Sequence, residues 1–91
     1  MANTVGYVSR TLDADIAEKN ITLDTKEFLL IYNASANVVT INIDNATTED
    51  GAIVLAAGQK IENFNQFCHN LYYKAAGDNS IVYVIGYKKD I

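Results

Sequence analysis

The stretch Glu27–Ile43 constrains the fold of this chain more than any other segment. An almost unbroken apolar run at residues 28–32 is followed by a polar turn at 33–37 and by a second run, at 38–43, in which valine and isoleucine recur at every second position. A period of two is typical of a half-buried β-strand. Two such runs on either side of a short Asn/Ser turn predict a β-hairpin, and we expect the other strands to stack on it.

Further short runs of strand-forming residues occur along the rest of the chain, at 4–10, 21–24, 52–57, 60–64, 71–75 and 81–87. Turn-forming residues separate them, most clearly at Asp44–Gly51 and at Gly77–Ser80, the latter a predicted hairpin loop. In the last run Ile81, Tyr83, Ile85 and Tyr87 share one face. The pattern predicts an all-β fold, a single antiparallel β-sandwich (jelly-roll or Ig-like) of about seven or eight short strands.

Two segments leave a helix open as an alternative. Apolar residues between Ile61 and Leu71 recur at spacings of three, three and four. The asparagines between them are poor helix formers, which favours the strand. Leu12 and Ile16 are four residues apart, so a single helical turn and a loop are both compatible with that segment.

Ninety-one residues make one compact domain. We expect residues 1–25 to form an N-terminal strand or an extended arm of this domain, and residues 26–91 to form the sandwich core. An arm of that length would reach a neighbouring subunit.

Charge and hydropathy narrow the class of partner. The formal net charge is -4, and Lys88-Lys89 is the only basic cluster, so we expect no nucleic-acid partner. No charged leader follows Met1, and no apolar run approaches the roughly 20 residues that cross a bilayer, so we expect a soluble protein with no membrane partner. Proline is absent, which leaves charge, short length or a partner to protect the edge strands.

Residues that could carry chemistry are few. Cys68 and His69 are adjacent, so on a strand they point to opposite faces and do not serve each other as nucleophile and base. One His and one Cys fall short of a zinc site. Asp44, Glu49 and Asp50 lie in a turn, where solvated carboxylates are a better interpretation than a calcium site. We therefore expect no enzyme activity, no cofactor and no metal.

Three matches to the glycosylation sequon begin at Asn20, Asn33 and Asn45. Glycosylation needs entry into the secretory pathway, which the missing leader argues against. We interpret all three as chance matches in a chain rich in asparagine.

The six tyrosines are the remaining functional signal. Tyrosine is common at protein interfaces because its ring buries area while its hydroxyl keeps a polar partner. We select Tyr7, Tyr72 and Tyr87 as candidate interface residues. Tyr72 and Tyr73 must face opposite ways on a strand, and a half-buried position at the rim of the fold is the alternative for any one tyrosine.

The order of three segments, LLIYNASANVVTINI, GAIVLAAGQKIENF and LYYKAAGDNSIVYVIGY, resembles the small β-sandwich virion proteins of tailed bacteriophages. A strand ending in Asn-x-Ser precedes another strand. A turn running from Gly51 through Leu55 to Gly58 follows, with Glu62 after it, and then a final hairpin. The resemblance covers about Lys26 to Tyr87.

This resemblance implies a non-enzymatic virion structural protein, a capsid decoration or minor head protein that binds the major capsid protein in many copies. A neck or tail component of the virion is an alternative, and a carbohydrate- or receptor-binding module is another. The expected partners are virion subunits, including further copies of this chain as a homo-oligomer or symmetric array. The expected location is the virion, assembled in the host cytoplasm.

Overall fold

The computed structural model of the protein describes residues 6–88. Seven strands run in chain order: β1 Tyr7–Ala14, β2 Lys19–Asn33, β3 Val39–Ile43, β4 Ile53–Leu55, β5 Lys60–Phe64, β6 Cys68–Ala75 and β7 Ser80–Lys88. All pairs are antiparallel and belong to one open sheet in the order β1-β7-β2-β6-β3-β4, with β5 also paired to β2. The predicted all-β, antiparallel class is confirmed. No helix in the described residues is long and apolar enough to span a membrane.

Both predicted hairpins are wrong. β2 and β3 are separated in the sheet by β6, and β6 and β7 are separated by β2. The turns reverse the chain where the sequence indicates, but each returning strand pairs with a more distant partner. The reason is the length of β2, whose fifteen residues join the two segments predicted at 21–24 and 28–32 and can pair with several strands in succession.

β2 is the strand shared by both halves of the sheet. Its first half, Lys19–Thr25, pairs with β6, and its second half, Thr25–Asn33, pairs with β7. β5 also pairs with this second half, so that β5 and β6 follow one another along β2. We refer to β1, β7, β5 and the second half of β2 as the first half-sheet, and to the remainder as the second half-sheet.

β2 changes direction between its two halves. Asp24 has a φ of 51°, and the register of β2 shifts between Thr22 and Thr25 and again at two places against β7. Such bulges bend a strand and change which side its side chains occupy. The bend brings β2 against Gly86, where a Cβ would lie 2.8 Å from the Glu27 carbonyl oxygen. Glycine at 86 is therefore required for this close approach.

The bulges explain the unbroken apolar run of β2. Phe28 lies opposite Gly86 on the core side, and Leu30 lies opposite Ile85 on the outer side. Two residues that are two apart on a regular strand would share a face. The extra residue, Leu29, reverses this, so Phe28 and Ile31 are fully buried while Leu30 and Tyr32 are only half-buried.

One hydrophobic core serves both half-sheets. Leu12 on β1 and Leu55 on β4 stand at opposite ends of the strand order, yet both are buried in the same cluster. The open sheet is therefore curved around a shared interior. The fully buried large side chains of this core include Phe28, Ile31, Val39, Ile41, Leu55, Leu71, Val82 and Val84.

The segment with a possible helical stripe is extended. Ile61–Leu71 falls in β5 and β6, so the helical alternative is wrong. The alternation of sides is broken within β5, because Asn63 has a φ of 54°. As a result Ile61 and Phe64 both pack against the core. The predicted N-terminal strand is β1, and residues 1–5 of the expected arm lie outside the described residues.

The buried side chain of Asn33 connects several backbone segments at one end of the fold. The Asn33 amide nitrogen donates to the carbonyl oxygens of Asn37, Leu55 and Ala56 at 2.7–3.1 Å. Its side-chain oxygen accepts hydrogen bonds from the backbone N–H and the hydroxyl of Ser35. Asn33 has no exposed surface. The Asn-x-Ser match here is a structural site that ties the end of β2 to β4.

Replacing Asn33 by Asp keeps the side-chain shape but removes both donors and places a charge opposite three carbonyl oxygens. We expect Asn33→Asp to lower the free energy of unfolding at pH 7 by about 3 kcal/mol or more, measured by urea denaturation. The matched control is Asn45→Asp, an exposed loop asparagine that should change stability by less than about 0.5 kcal/mol. Equal effects of the two substitutions would contradict the network.

Candidate interaction surface

β7 is apolar on both of its faces. Val82 and Val84 are completely buried in the core. Ile81, Tyr83 and Ile85 alternate with them and point outward. The predicted alternation of this strand is confirmed. A strand with two apolar faces is typical of a sheet that is covered on both sides.

The outer face of the first half-sheet continues this apolar character onto the neighbouring strands. Tyr83 lies opposite Tyr32 on β2, Ile85 lies opposite Leu30, and Tyr87 lies opposite Tyr7 on β1. Cross-strand partners share a face of the sheet, so these side chains form one surface. We call it the tyrosine face; its apolar and aromatic members are Tyr7, Leu30, Tyr32, Ile81, Tyr83, Ile85 and Tyr87, and Ser9, Thr11 and Glu27 lie opposite three of them on the same face.

Two aromatic pairs organise the tyrosine face. The ring centroids of Tyr7 and Tyr87 are 5.1 Å apart, and those of Tyr32 and Tyr83 are 6.2 Å apart in a stacked arrangement. The rings restrict each other while Tyr7 keeps 58% and Tyr83 keeps 41% of its surface exposed. Interaction with the Tyr7 hydroxyl, together with partial burial and the Glu27 carboxylate, raises the pKa of Tyr87 above its ordinary value.

The outer face of the second half-sheet is different. Thr22 donates its hydroxyl proton to the Asn70 side-chain oxygen at 2.7 Å, and Thr40 lies between Lys74 and Val54. We call this surface the polar face; its members are Asn20, Thr22, Thr40, Val54, Asn70, Tyr72 and Lys74. The two outer faces of one small fold therefore have opposite character, and only one resembles an interface core.

The structure brings together two of the three tyrosines predicted from the sequence. Tyr7 and Tyr87 are in contact on the tyrosine face. Tyr72 lies on the polar face, opposite Asn20 and Asn42, while Tyr73 points into the core, so the two face opposite ways as predicted. Tyr32 and Tyr83 were not selected. The alternating residues of 81–87 contained the signal that identifies Tyr83 as an interface candidate, because they indicate a strand with two apolar faces.

The edges of the sheet are protected against pairing with another strand. On β1, Arg10 occupies the core side between Val8 and Leu12 but stays exposed. Inward-pointing charge on an edge strand disfavours addition of a further strand. β4 has only three residues, and β5 exposes Lys60 and Glu62. Charge and short length, two of the predicted protections, are both present, so contacts through a sheet face are favoured over contacts through an edge.

A small pocket lies where β2 bends, lined by Asp24, Thr25, Asp44, Phe67, Cys68 and His69. Its carboxylates already have partners: Asp24 contacts the His69 ring, and Asp44 accepts the backbone N–H groups of His69 and Asn70 at 2.9 and 2.7 Å. Among residues 6–88 no group of three or more His, Cys, Asp or Glu side chains could hold a metal ion.

The two adjacent residues Cys68 and His69 point in opposite directions, as predicted. Cys68 is 1% exposed and His69 is exposed. Burial, followed by the charges of Asp44 and Asp24, raises the pKa of the Cys68 thiol to about 12. Because the thiolate is the nucleophilic form, this arrangement keeps Cys68 unreactive in the folded state.

The turn considered as a calcium site is organised by protein groups. The Asn42 amide nitrogen donates to the carbonyl oxygens of Ala46 and Asp50 at 2.9 and 3.2 Å. The Glu18 carboxylate accepts the Thr47 backbone N–H at 2.7 Å and the Thr47 hydroxyl. These bonds to the Thr47 hydroxyl and backbone N–H lower the pKa of Glu18. Polar side chains around this turn therefore shape the backbone.

Alkylation by iodoacetamide tests the state of Cys68. We expect the native protein to react at least about 100-fold more slowly than the protein unfolded in guanidinium chloride, because reaction requires opening of the core. The Val54→Cys variant supplies an exposed thiol as the control. Rapid alkylation of Cys68 in the native protein, at the rate of the added thiol, would contradict its burial.

No family model matches the chain, and no curated protein or solved structure matches it.

Proposed function

We propose that this protein is a non-enzymatic structural subunit of a tailed-phage virion, a capsid decoration or minor head protein. It joins the particle in many copies by packing the tyrosine face against a neighbouring subunit. The observation that carries the proposal is the contrast between the two outer faces: the tyrosine face carries Tyr83 and Ile85, whereas the polar face carries Thr40 and Lys74.

The energetics favour a contact made once per subunit and repeated by symmetry. Removing apolar surface from water contributes about 25 cal/mol per Å², although ordering and lost rigid-body freedom offset much of it. A small domain also gains stability when a partner binds only its folded state. Repetition on a symmetric shell turns a modest pairwise contact into firm attachment.

The virion assignment is supported by the resemblance of segments 29–43, 51–64 and 71–87 to phage β-sandwich proteins. Two features of the surface fit a structural role. The tyrosine face is apolar at its centre, and the charged side chains Asp13, Lys60 and Glu62 stand at its margins. An apolar centre with a polar rim is the usual anatomy of a protein interface.

The test is incorporation into particles. A phage lacking the gene would be complemented with the wild-type protein, Tyr83→Asp or Val54→Asp, and copy number in purified particles measured by mass spectrometry. Val54 is a matched control because it is apolar and 61% exposed on the polar face. We expect wild-type and Val54→Asp proteins in many copies per particle and at least about a tenfold loss of copies for Tyr83→Asp.

Absence of the wild-type protein from purified particles would overturn the proposal. Copy number also separates the layers of the virion, since a decoration protein follows the number of capsid subunits whereas a neck or tail protein is present in far fewer copies. Circular dichroism of each variant confirms that a loss of incorporation is not a loss of folding.

A further inference from the structure

The outer face of the first half-sheet, which contains the tyrosine face, approaches the size of one side of a homodimer interface. Strands lie about 4.8 Å apart and rise about 3.3 Å per residue. The four strands of the first half-sheet are therefore about 19 Å wide, and along the nine residues of β7 the half-sheet is up to about 30 Å long. That footprint is roughly 570 Å², and projecting tyrosine and isoleucine side chains expose more surface than their footprint. A standard interface removes about 800 Å² from each partner.

The charges at the margins suit a second copy of the same chain. Lys60 and Glu62 stand on β5 at one margin, where they form an exposed ion pair at 3.8 Å within the chain, and Asp13 stands on β1 at the other. A two-fold axis running along β7 brings Lys60 of one copy towards Asp13 of the other. An axis running across the strands brings Lys60 towards Glu62 instead. In both orientations the rotation places a cation opposite an acid, and the apolar centre meets its own equivalent.

We infer that the tyrosine face is occupied by a second copy of this chain, in a two-fold dimer whose first half-sheets pack face to face. This inference rests on the proposed function and names the neighbour at the same surface: the dimer is the unit that joins the particle. The protected edges of β1, β4 and β5 disfavour the main competing mode, in which sheets extend by strand pairing. Two packed sheets keep their strands within about 30° of each other and lie about 10 Å apart.

Sedimentation equilibrium tests the inference. We expect the wild-type protein to sediment as a dimer with a concentration-dependent mass, and Val54→Asp to behave identically. Tyr83→Asp places a charge near its own symmetry equivalent, and should raise the dimer dissociation constant at least about tenfold. A wild-type protein that is monomeric at every concentration overturns the inference, as does a Tyr83→Asp dimer of unchanged affinity.

A second variant keeps the test independent of that substitution's effect on folding. Residues beside a two-fold axis lie close to themselves in the other copy, so Tyr83→Cys should form a covalent dimer under mild oxidation. Val54→Cys, on the polar face, should remain monomeric. The native Cys68 adds little background because its thiol is buried. Equal cross-linking of the two variants would contradict a dimer through the tyrosine face.

The two proposals fail in different ways. If the protein is monomeric but Tyr83→Asp still abolishes incorporation into particles, the face binds another virion subunit directly; the dimer is overturned and the structural role stands. If the dimer forms but the protein is absent from purified particles, the role in the virion is overturned and the dimer stands.

Discussion

The bend in β2 is the constraint on which the rest of this structure depends. The Glu27 carbonyl and the Thr25 side chain approach Gly86 so closely that no Cβ fits between them. Before the bend β2 pairs with β6, and after it β2 pairs with β7 and β5. One strand therefore belongs to two half-sheets, and the half-sheets share a core because this strand cannot run straight.

The same bend determines the character of the surface. A shift of one residue moves the side chains of a strand to the opposite face, and the bulge at Leu29 places Leu30 and Tyr32 beside Ile85 and Tyr83. Without that shift Leu30 and Tyr32 would point into the core and Ile31 would point outward. The tyrosine face is therefore created by the bend in the central strand. It is a contiguous surface, whereas single exposed apolar residues are common on proteins and need no explanation.

Sequence reasoning could identify strands because alternation and turn residues are local signals. It predicted β5 at its observed bounds and the two faces of β7. Pairing partners were not accessible, because pairing between strands distant in sequence is decided by the shared core, and the turn at 33–37 shows only that the chain reverses. The bulge at Leu29 and the positive φ of Asn63 were missed for a related reason. A register shift carries no fixed residue signature, and although asparagine and aspartate favour positive φ, most of the many asparagines and aspartates in this chain do not adopt it. Tyr72 was grouped with Tyr7 because the side of the sheet on which a residue lies depends on strand pairing, which the sequence did not predict.

The central claim is that contacts are made through the tyrosine face and not through the polar face. Hydroxyl-radical footprinting with mass spectrometry tests it within a single molecule, by comparing oxidation of Tyr83 and Tyr72 in the dilute monomer and in the assembled state. We expect assembly to protect Tyr83 several-fold and to leave the reactivity of Tyr72 unchanged. Protection of Tyr72, with Tyr83 as reactive in the assembly as in the monomer, would contradict it.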